Sequence, residues 1–105
     1  MNNWYPGRSL EEDKRYRIKD INVIAANARR AFYDYMPLPS GKIYRRIERG
    51  PLCDVFMLDE RSYRAANSPN RQVKPGRDTV FFGKDQFAWL KSALLKSKAT
   101  WKVIA

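Results

Sequence analysis

The sequence predicts an α/β fold, of which this small chain forms an α+β portion with the order helix, β-hairpin, long loop, helix and strand. Two segments have apolar residues at helical spacing, a third has apolar residues that alternate with polar ones, and Pro and Gly separate the segments. A chain of 105 residues has room for one domain of this kind. Hydrophobic residues make up 44% of it, which is too much for a disordered basic tail.

The first helix is predicted over about residues 22–35. Its apolar stripe is formed by side chains three or four residues apart, namely Ile21, Ile24, Ala25, Ala28, Phe32 and Tyr35. Asp20 or Asn22 can cap its start, because a short polar side chain accepts a hydrogen bond from an unpaired backbone N–H there. Pro37 ends it, because a residue that precedes proline is disfavoured in the helical conformation.

A β-hairpin is predicted over residues 42–58. Residues 42–49 alternate, with Ile43, Arg45 and Ile47 on one face, and Gly-Pro at 50–51 breaks the run. Residues 52–58 form the second strand, which is apolar except at Asp54. The short break favours antiparallel pairing, and the apolar content predicts a second strand that is largely buried on both faces, with Cys53 as a core residue.

The second half of the chain predicts a long irregular loop over residues 62 to about 82, a helix over 84–96, and a strand that starts at Ala99. The predicted apolar side of this helix consists of Phe87, Leu90 and Leu94, flanked by Ala88 and Leu95. Two interpretations of the final strand stay open. The sheet continues into parts of a larger protein, or the chain is a complete small domain whose last strand pairs with the hairpin.

The composition excludes several classes of site from this sequence. Because it contains no histidine, it has no Ser-His-Asp or Cys-His catalytic set and no histidine-bound zinc. One cysteine excludes an internal disulfide and an all-cysteine zinc site. No apolar run is long enough to span a bilayer, and the first residues lack the apolar core of a secretion signal.

The charge of the chain leaves its function open. There are 21 Lys and Arg residues against 11 Asp and Glu, a net charge of +10, which is typical of nucleic-acid-binding proteins and also attracts a phosphorylated small substrate. The basic residues are spread along the sequence, and no helix carries a basic stripe. A solvated surface explains them equally, so a small basic nucleic-acid-binding module remains the alternative function.

The candidate site residues lie after the second strand and near the N-terminus. Asp59 could bind a metal, orient Arg61, or cap the strand end. Arg61 could hold a phosphate through two parallel hydrogen bonds, or form a surface ion pair with Glu60 or Asp59. Asn2 and Asn3 could offer amide oxygens to a hard metal ion, or occupy a plain turn.

Several blocks, in order along almost the entire chain, resemble the PhoD-like alkaline phosphatases. These blocks are Asn-Asn-Trp-Tyr-Pro-Gly (2–7), Ala-Arg-Arg-Ala-Phe-Tyr-Asp-Tyr-Met-Pro (28–37), Ile-Tyr-Arg-Arg-Ile (43–47), Gly-Pro-Leu-Cys-Asp-Val-Phe-Met-Leu-Asp-Glu-Arg-Ser-Tyr-Arg (50–64), Gln-Phe-Ala-Trp-Leu (86–90) and Ala-Thr-Trp-Lys-Val-Ile-Ala (99–105). The resemblance implies a metal-dependent phosphomonoesterase or phosphodiesterase with a calcineurin-like metallophosphatase core, an αββα sandwich of which this chain is a part.

The same resemblance implies that the chain is an internal fragment. In the family, Asn-Asn-Trp closes an Asp-Asp-His-Glu-x-x-Asn-Asn-Trp motif, and further histidine ligands follow the Trp-Lys-Val-Ile strand. We therefore expect residues 1–105 to be a partial domain whose upstream and downstream parts are missing, and which is inactive alone.

The resemblance also implies roles for individual residues. Asn3, with Asn2 as its neighbour in the motif, matches an asparagine that coordinates a site metal. Arg61 matches an arginine near the phosphate pocket, and Asp59 supports it. The implied cofactors are iron and calcium, and the implied substrate is a phosphate monoester or diester. The parent protein is expected to be periplasmic or secreted, with no membrane span and no nucleic-acid partner, and the remainder of its own chain is the partner of this part.

Overall fold

The computed structural model of the protein describes residues 3–69 and 71–105, which form two helices and a three-stranded mixed sheet. In chain order the elements are α1 (Ile21–Tyr35), β1 (Arg45–Arg49), β2 (Cys53–Met57), a single 3-10 turn (Arg77–Thr79), α2 (Lys84–Lys96) and β3 (Trp101–Ile104). The predicted α+β order of helix, hairpin, long loop, helix and strand is confirmed.

The sheet has the strand order β1-β2-β3. β1 and β2 pair antiparallel, with Ile47 opposite Val55, and β2 and β3 pair parallel, with Val55 beside Val103. A parallel pair needs a long crossover, and residues 58–100, which include α2, provide it. The last strand thus pairs with the hairpin, and β3 forms one edge of the described sheet.

α1 begins and ends at the predicted signals. Asp20 is its N-cap, since its Oδ1 accepts a hydrogen bond from the backbone N–H of Asn22 at 2.8 Å. Met36, the residue before Pro37, is its C-cap. Of the predicted apolar stripe, Ile21 is buried and Tyr35 is 86% exposed.

α2 packs on the sheet with a side that matches the predicted one only in part, since Leu90 and Leu94 are half-buried as predicted. Phe87 is 60% and Leu95 is 78% exposed, whereas Gln86 and Ser97 are buried. The buried and half-buried residues of the inner side are Gln86, Trp89, Leu90, Ala93 and Leu94, followed by the C-cap Ser97. The prediction was wrong at Phe87 and Leu95 because it placed polar residues outward, whereas both polar side chains find hydrogen-bond partners inside.

The apolar core between α2 and the sheet is aromatic. Phe56 of β2 is completely buried, and its ring centroid lies 6.4 Å from that of Trp89. Tyr44 is also buried, with ring centroids 4.9 Å from Trp89 and 5.9 Å from Tyr63. Tyr63 belongs to the segment after β2, so this cluster attaches that segment to the helix and the sheet.

β2 is buried on one face rather than on both. Asp54 and Phe56 point to α2 and are buried, while Cys53, Val55 and Met57 on the other face are half-buried. The prediction of a strand buried on both faces, with Cys53 in the core, was therefore wrong for the described structure. An apolar run does not reveal whether one or two layers cover a strand.

A buried ionic network joins the C-terminal end of α2 to the hairpin. Ser97 Oγ donates a hydrogen bond to Asp54 Oδ2, and Arg46 Nη2 lies 2.8 Å from the same oxygen. Ser97 Oγ also accepts a hydrogen bond from the backbone N–H of Ala99 at 3.3 Å, just before β3 begins. The Asp54 carboxylate therefore links β1, β2 and the end of α2.

The predicted long loop is present and its ends are joined. The backbone N–H of Ala65 donates a hydrogen bond to the carbonyl oxygen of Val80 at 2.8 Å, and Phe81 and Phe82 pack edge to face with centroids 5.0 Å apart. Neither α1 nor α2, the helices of the described ranges, has the length and apolar character that crossing a membrane requires.

The first prediction concerns the pH dependence of stability. The hydrogen bond from Ser97, with the charge of Arg46, holds the pKa of Asp54 below its ordinary 3.8 against the opposing effect of burial. A lowered folded-state pKa stabilises the protein fully above the unfolded-state pKa, and this stabilisation is lost as the pH falls through the folded-state pKa. We therefore expect the Tm of the wild type, measured by circular dichroism, to fall more steeply below about pH 4 than that of Asp54→Asn.

Asp13 supplies the control for that experiment. Its pKa is lowered to about 2, mainly by a hydrogen bond from Arg15, but the Arg15 side chain is 78% exposed and that of Asp13 19%, against 2% for Asp54. Because solvent screens exposed pairs, Asp13→Asn should change the acid dependence less than Asp54→Asn does. Equal slopes for the wild type and Asp54→Asn would contradict the assigned role of the network.

The second prediction concerns Gly83, the residue before α2. Its φ is +74°, and an added Cβ would lie 2.9 Å from Tyr63 Cβ. With ψ at 155°, Gly83 lies in a region essentially confined to glycine, so Gly83→Ala should combine a backbone cost of about 1–3 kcal/mol with a clash, and urea unfolding should show a larger loss than the backbone cost alone. Gly50→Ala is the matched control, because Gly50 has φ +67° and nothing within 4 Å of the added atom. Equal losses in the two variants would show that Tyr63 is not packed against Gly83.

Candidate functional site

Asp59 lies at the end of β2 and organises the turn that follows. It is only 6% exposed, and its Oδ1 accepts hydrogen bonds from the backbone N–H of Arg61 at 3.2 Å and of Ser62 at 2.9 Å. Of the three functions that the sequence left open for Asp59, capping of the strand end matches this geometry. The carboxylate therefore holds the backbone N–H of Arg61 in place.

Gln86, in the first turn of α2, holds the same residue from the other side. Its Oε1 accepts a hydrogen bond from the backbone N–H of Asp59 at 2.7 Å, and its Nε2 donates to the carbonyl oxygen of Asp59 at 2.9 Å. Nε2 also donates to the carbonyl oxygen of Phe82 at 2.8 Å, and Gln86 is 1% exposed. Both backbone polar groups of Asp59 are thereby paired with one side chain.

Gln86 is a site residue that the sequence pattern did not indicate. The signal that could have found it is its spacing, because it precedes the aromatic Trp89 by three residues and therefore lies on the same side of the helix. A glutamine on a buried helix side requires hydrogen-bond partners, which in this protein come from a strand end 27 residues earlier.

The two arginines of this segment differ in their contacts. Arg64 Nη2 donates to Asn67 Oδ1 at 2.5 Å, and Arg64 Cζ lies 5.1 Å from the centroid of the Phe81 ring. Arg61 is exposed, and within residues 3–69 and 71–105 its guanidinium forms no ion pair with Glu60 or Asp59 and no hydrogen bond. Of these two guanidinium groups, that of Arg61 is the one left to bind a ligand.

Burial and the charged groups around the turn shift the pKa of Tyr63. Burial raises the pKa of Tyr63, and the negative charge of Asp59 adds to this rise, while Arg29 and Lys42 oppose it. A hydrogen bond with Tyr44 raises the pKa of Lys42, so Lys42 stays protonated. The turn that carries Arg61 therefore lies near two further positive charges and a neutral phenol.

A cavity of about 710 Å³ joins the N-terminal segment to this turn. Trp4 lines it from the N-terminal segment, Ile24 and Phe32 line it from α1, and Ser62 lines it from the turn. Asn3, beside Trp4, is exposed and has a φ of +53°, while Asn2 lies outside the described residues. The structure thus brings the neighbours of Asn3 and Arg61 to one cavity, although the two motifs are far apart in sequence.

The described residues do not form a complete metal site. Within residues 3–69 and 71–105, no three His, Cys, Asp or Glu side chains are grouped closely enough to hold one ion. Asp59 Oδ2 is buried and has no hydrogen-bond partner among the described atoms, and Asn3 offers an exposed amide. One carboxylate oxygen and one amide are too few donors for iron or calcium, so no chemical step through a metal is assigned to this chain.

Comparison with known proteins identifies the family. The sequence matches the PhoD-like phosphatase family over residues 1–105, the whole of the sequence. Neither a curated protein nor a solved structure matches it. The family match confirms the resemblance found in the ordered sequence blocks, which include the turn with Asp59 and Arg61 and the helix with Gln86. The chain belongs to the PhoD-like phosphatase family.

Proposed function

We propose that this chain is part of a metal-dependent alkaline phosphatase or phosphodiesterase, and that Arg61 binds the phosphate of the ester that is hydrolysed. The observation that carries this proposal is the state of Arg61. Its guanidinium is exposed and unpaired among the described residues, while its backbone is hydrogen-bonded to a buried carboxylate at the end of a strand. The family assignment supplies the reaction class.

The chemistry of arginine suits this role. A guanidinium donates two parallel hydrogen bonds to a phosphate and stays charged at every physiological pH. In phosphoryl transfer, such donors stabilise the charge on the non-bridging oxygens. Arg29 and Lys42 add positive charge near Tyr63, two residues after Arg61, which favours an anionic substrate.

We assign supporting roles to the remaining candidates. Asn3, with Asn2 as its neighbour, is proposed to give an amide oxygen to a metal ion, and Asp59 to support Arg61 through the turn. Iron and calcium, the ions that the resemblance implies, are proposed to be held mainly by residues outside these 105. The support is the small number of donors among the described residues. We also propose that the parent protein is periplasmic or secreted, on the family assignment alone.

Substitution of Arg61 tests the phosphate role. In the natural protein that contains this chain, purified with its metal ions, Arg61→Ala should lower kcat/KM for p-nitrophenyl phosphate by about 10²–10³-fold, because one charged donor to the reacting group is lost. Arg61→Lys should lie between, because an ammonium keeps the charge but not the paired hydrogen bonds.

Arg64→Ala is the matched control for Arg61. It removes the same charge three residues away, but from a guanidinium that already contacts Asn67 and Phe81. Its kcat/KM should stay within about threefold of the wild type, since only a general electrostatic effect is lost. Equal losses in Arg61→Ala and Arg64→Ala would reject the specific role of Arg61.

The isolated 105-residue chain gives a separate test. We expect it to hydrolyse p-nitrophenyl phosphate no faster than the buffer does, with or without added iron and calcium, because residues 3–69 and 71–105 bring no three acidic or cysteine ligands together. A metal-free preparation of the chain with activity well above background would contradict this expectation. The metal content of the sample, measured by mass spectrometry, accompanies the assay.

A further inference from the structure

We propose that Gln86 is a positioning residue for Arg61, acting through the backbone of Asp59. The inference rests on the proposed binding of phosphate by Arg61. It concerns a residue of α2 that does not itself meet the substrate and that comes 25 residues after the arginine in sequence.

The pairing of Gln86 with Asp59 has the geometry of one rung of a β-ladder. A carboxamide offers an acceptor and a donor side by side, and these meet the N–H and the carbonyl oxygen of one residue at 2.7 and 2.9 Å. Two such bonds to one residue restrict both its position and its rotation. β2 ends at Met57, so Gln86 continues the support of the backbone just where the strand pairing stops.

From Asp59 the restraint passes to Arg61 in one further step. The Oδ1 of Asp59 accepts the backbone N–H of Arg61, and of Ser62 next to it. Movement of the Asp59 backbone would therefore move the start of Arg61 with it. Since the Arg61 side chain has no partner of its own among the described residues, the backbone sets the point from which its guanidinium reaches, and binding of the phosphate selects the rotamer.

Gln86 is itself firmly held. Its Nε2 also donates to Phe82 at 2.8 Å, and α2 is fixed to β2 by the packing of Trp89 on Phe56 and by the hydrogen bond between Ser97 and Asp54. A positioning residue must itself be held rigidly, and Gln86 meets this requirement while the Arg61 side chain stays free to meet a ligand.

A merely stabilising role is the competing explanation, because any buried hydrogen bond contributes to stability. Ser97→Ala is the matched control. Ser97 is the C-cap of the same helix, at the opposite end from Gln86, and it is buried and hydrogen-bonded to Asp54 of β2. Among the described residues it forms no hydrogen bond with Asp59. If stability alone mattered, Gln86 and Ser97 variants with equal Tm losses would affect phosphate binding equally.

The experiment measures inorganic phosphate affinity by titration calorimetry on the natural protein with its metal ions, below the Tm of every variant. Gln86→Met keeps the side-chain size and removes all three hydrogen bonds. We expect the phosphate Kd of Gln86→Met to rise about tenfold and that of Ser97→Ala to stay within about twofold of the wild type. A tenfold change is of the size seen for coupling between residues in contact.

A double-mutant cycle with Arg61→Ala separates positioning from stability. If Gln86 acts through Arg61, Gln86→Met has no further effect on the phosphate Kd once Arg61 is alanine. Independent, additive effects of Gln86→Met and Arg61→Ala would overturn the proposal, and so would an unchanged Kd in Gln86→Met. If Gln86→Met does not fold, Gln86→Asn keeps the amide but shortens its reach, and the same outcomes apply to it.

The outcomes distinguish this inference from the proposed function. Hydrolysis of p-nitrophenyl phosphate by the wild type tests the proposed function, whereas the phosphate titrations test the role of Gln86. A wild type that hydrolyses the ester while Gln86→Met binds phosphate normally rejects only the role of Gln86. A wild type that binds no phosphate also rejects the role of Gln86. A coupled loss of phosphate affinity in Gln86→Met and Arg61→Ala supports that role even where hydrolysis is absent.

Discussion

The double hydrogen bond between the Gln86 side chain and the Asp59 backbone is the contact on which the candidate site depends. At this point β2 ends, and the chain must leave the sheet without losing the partners of its buried backbone groups. Gln86 supplies these partners from a helix, so the turn can present Arg61 outward while its own start stays buried. The pairing of Gln86 with Asp59 thus supports the strand end from α2 and leaves the Arg61 side chain exposed on the turn.

The net positive charge alone does not show which basic side chains can bind a ligand, so the contacts of each arginine must be considered. Arg46 pairs with the buried Asp54 and the exposed Glu48, while Arg64 contacts Asn67 and Phe81. Arg61 has no such partner in the described ranges. A net charge of +10 is compatible with nucleic acid, phosphate or a plain solvated surface, and an unpaired guanidinium can hold a phosphate group through two parallel hydrogen bonds.

Where the sequence prediction of packing was wrong, the cause was the treatment of polar residues. The apolar pattern of α2 favoured Phe87 and Leu95 as inner residues, yet Gln86 and Ser97 are inside. A hydrophobicity pattern assigns a cost to each buried polar group, and it cannot include the hydrogen bonds that remove the cost, because the partners lie 27 and 43 residues away. The burial of β2 on one face was missed for a related reason, since a run of apolar residues does not count the layers above it.

The sequence by itself determined the elements, the end signals of α1 and the family, because caps, proline and periodicity act over a few residues and the family blocks occur in order along the chain. It also singled out Arg61 and Asp59 from their place after an apolar strand. Only the tertiary structure decided that β3 lies parallel to β2, that Asp54 is shared by Arg46 and Ser97, and that Gln86 supports the turn with Arg61. These are contacts between distant segments, and their geometry depends on how the helix crosses the sheet, which no local pattern encodes.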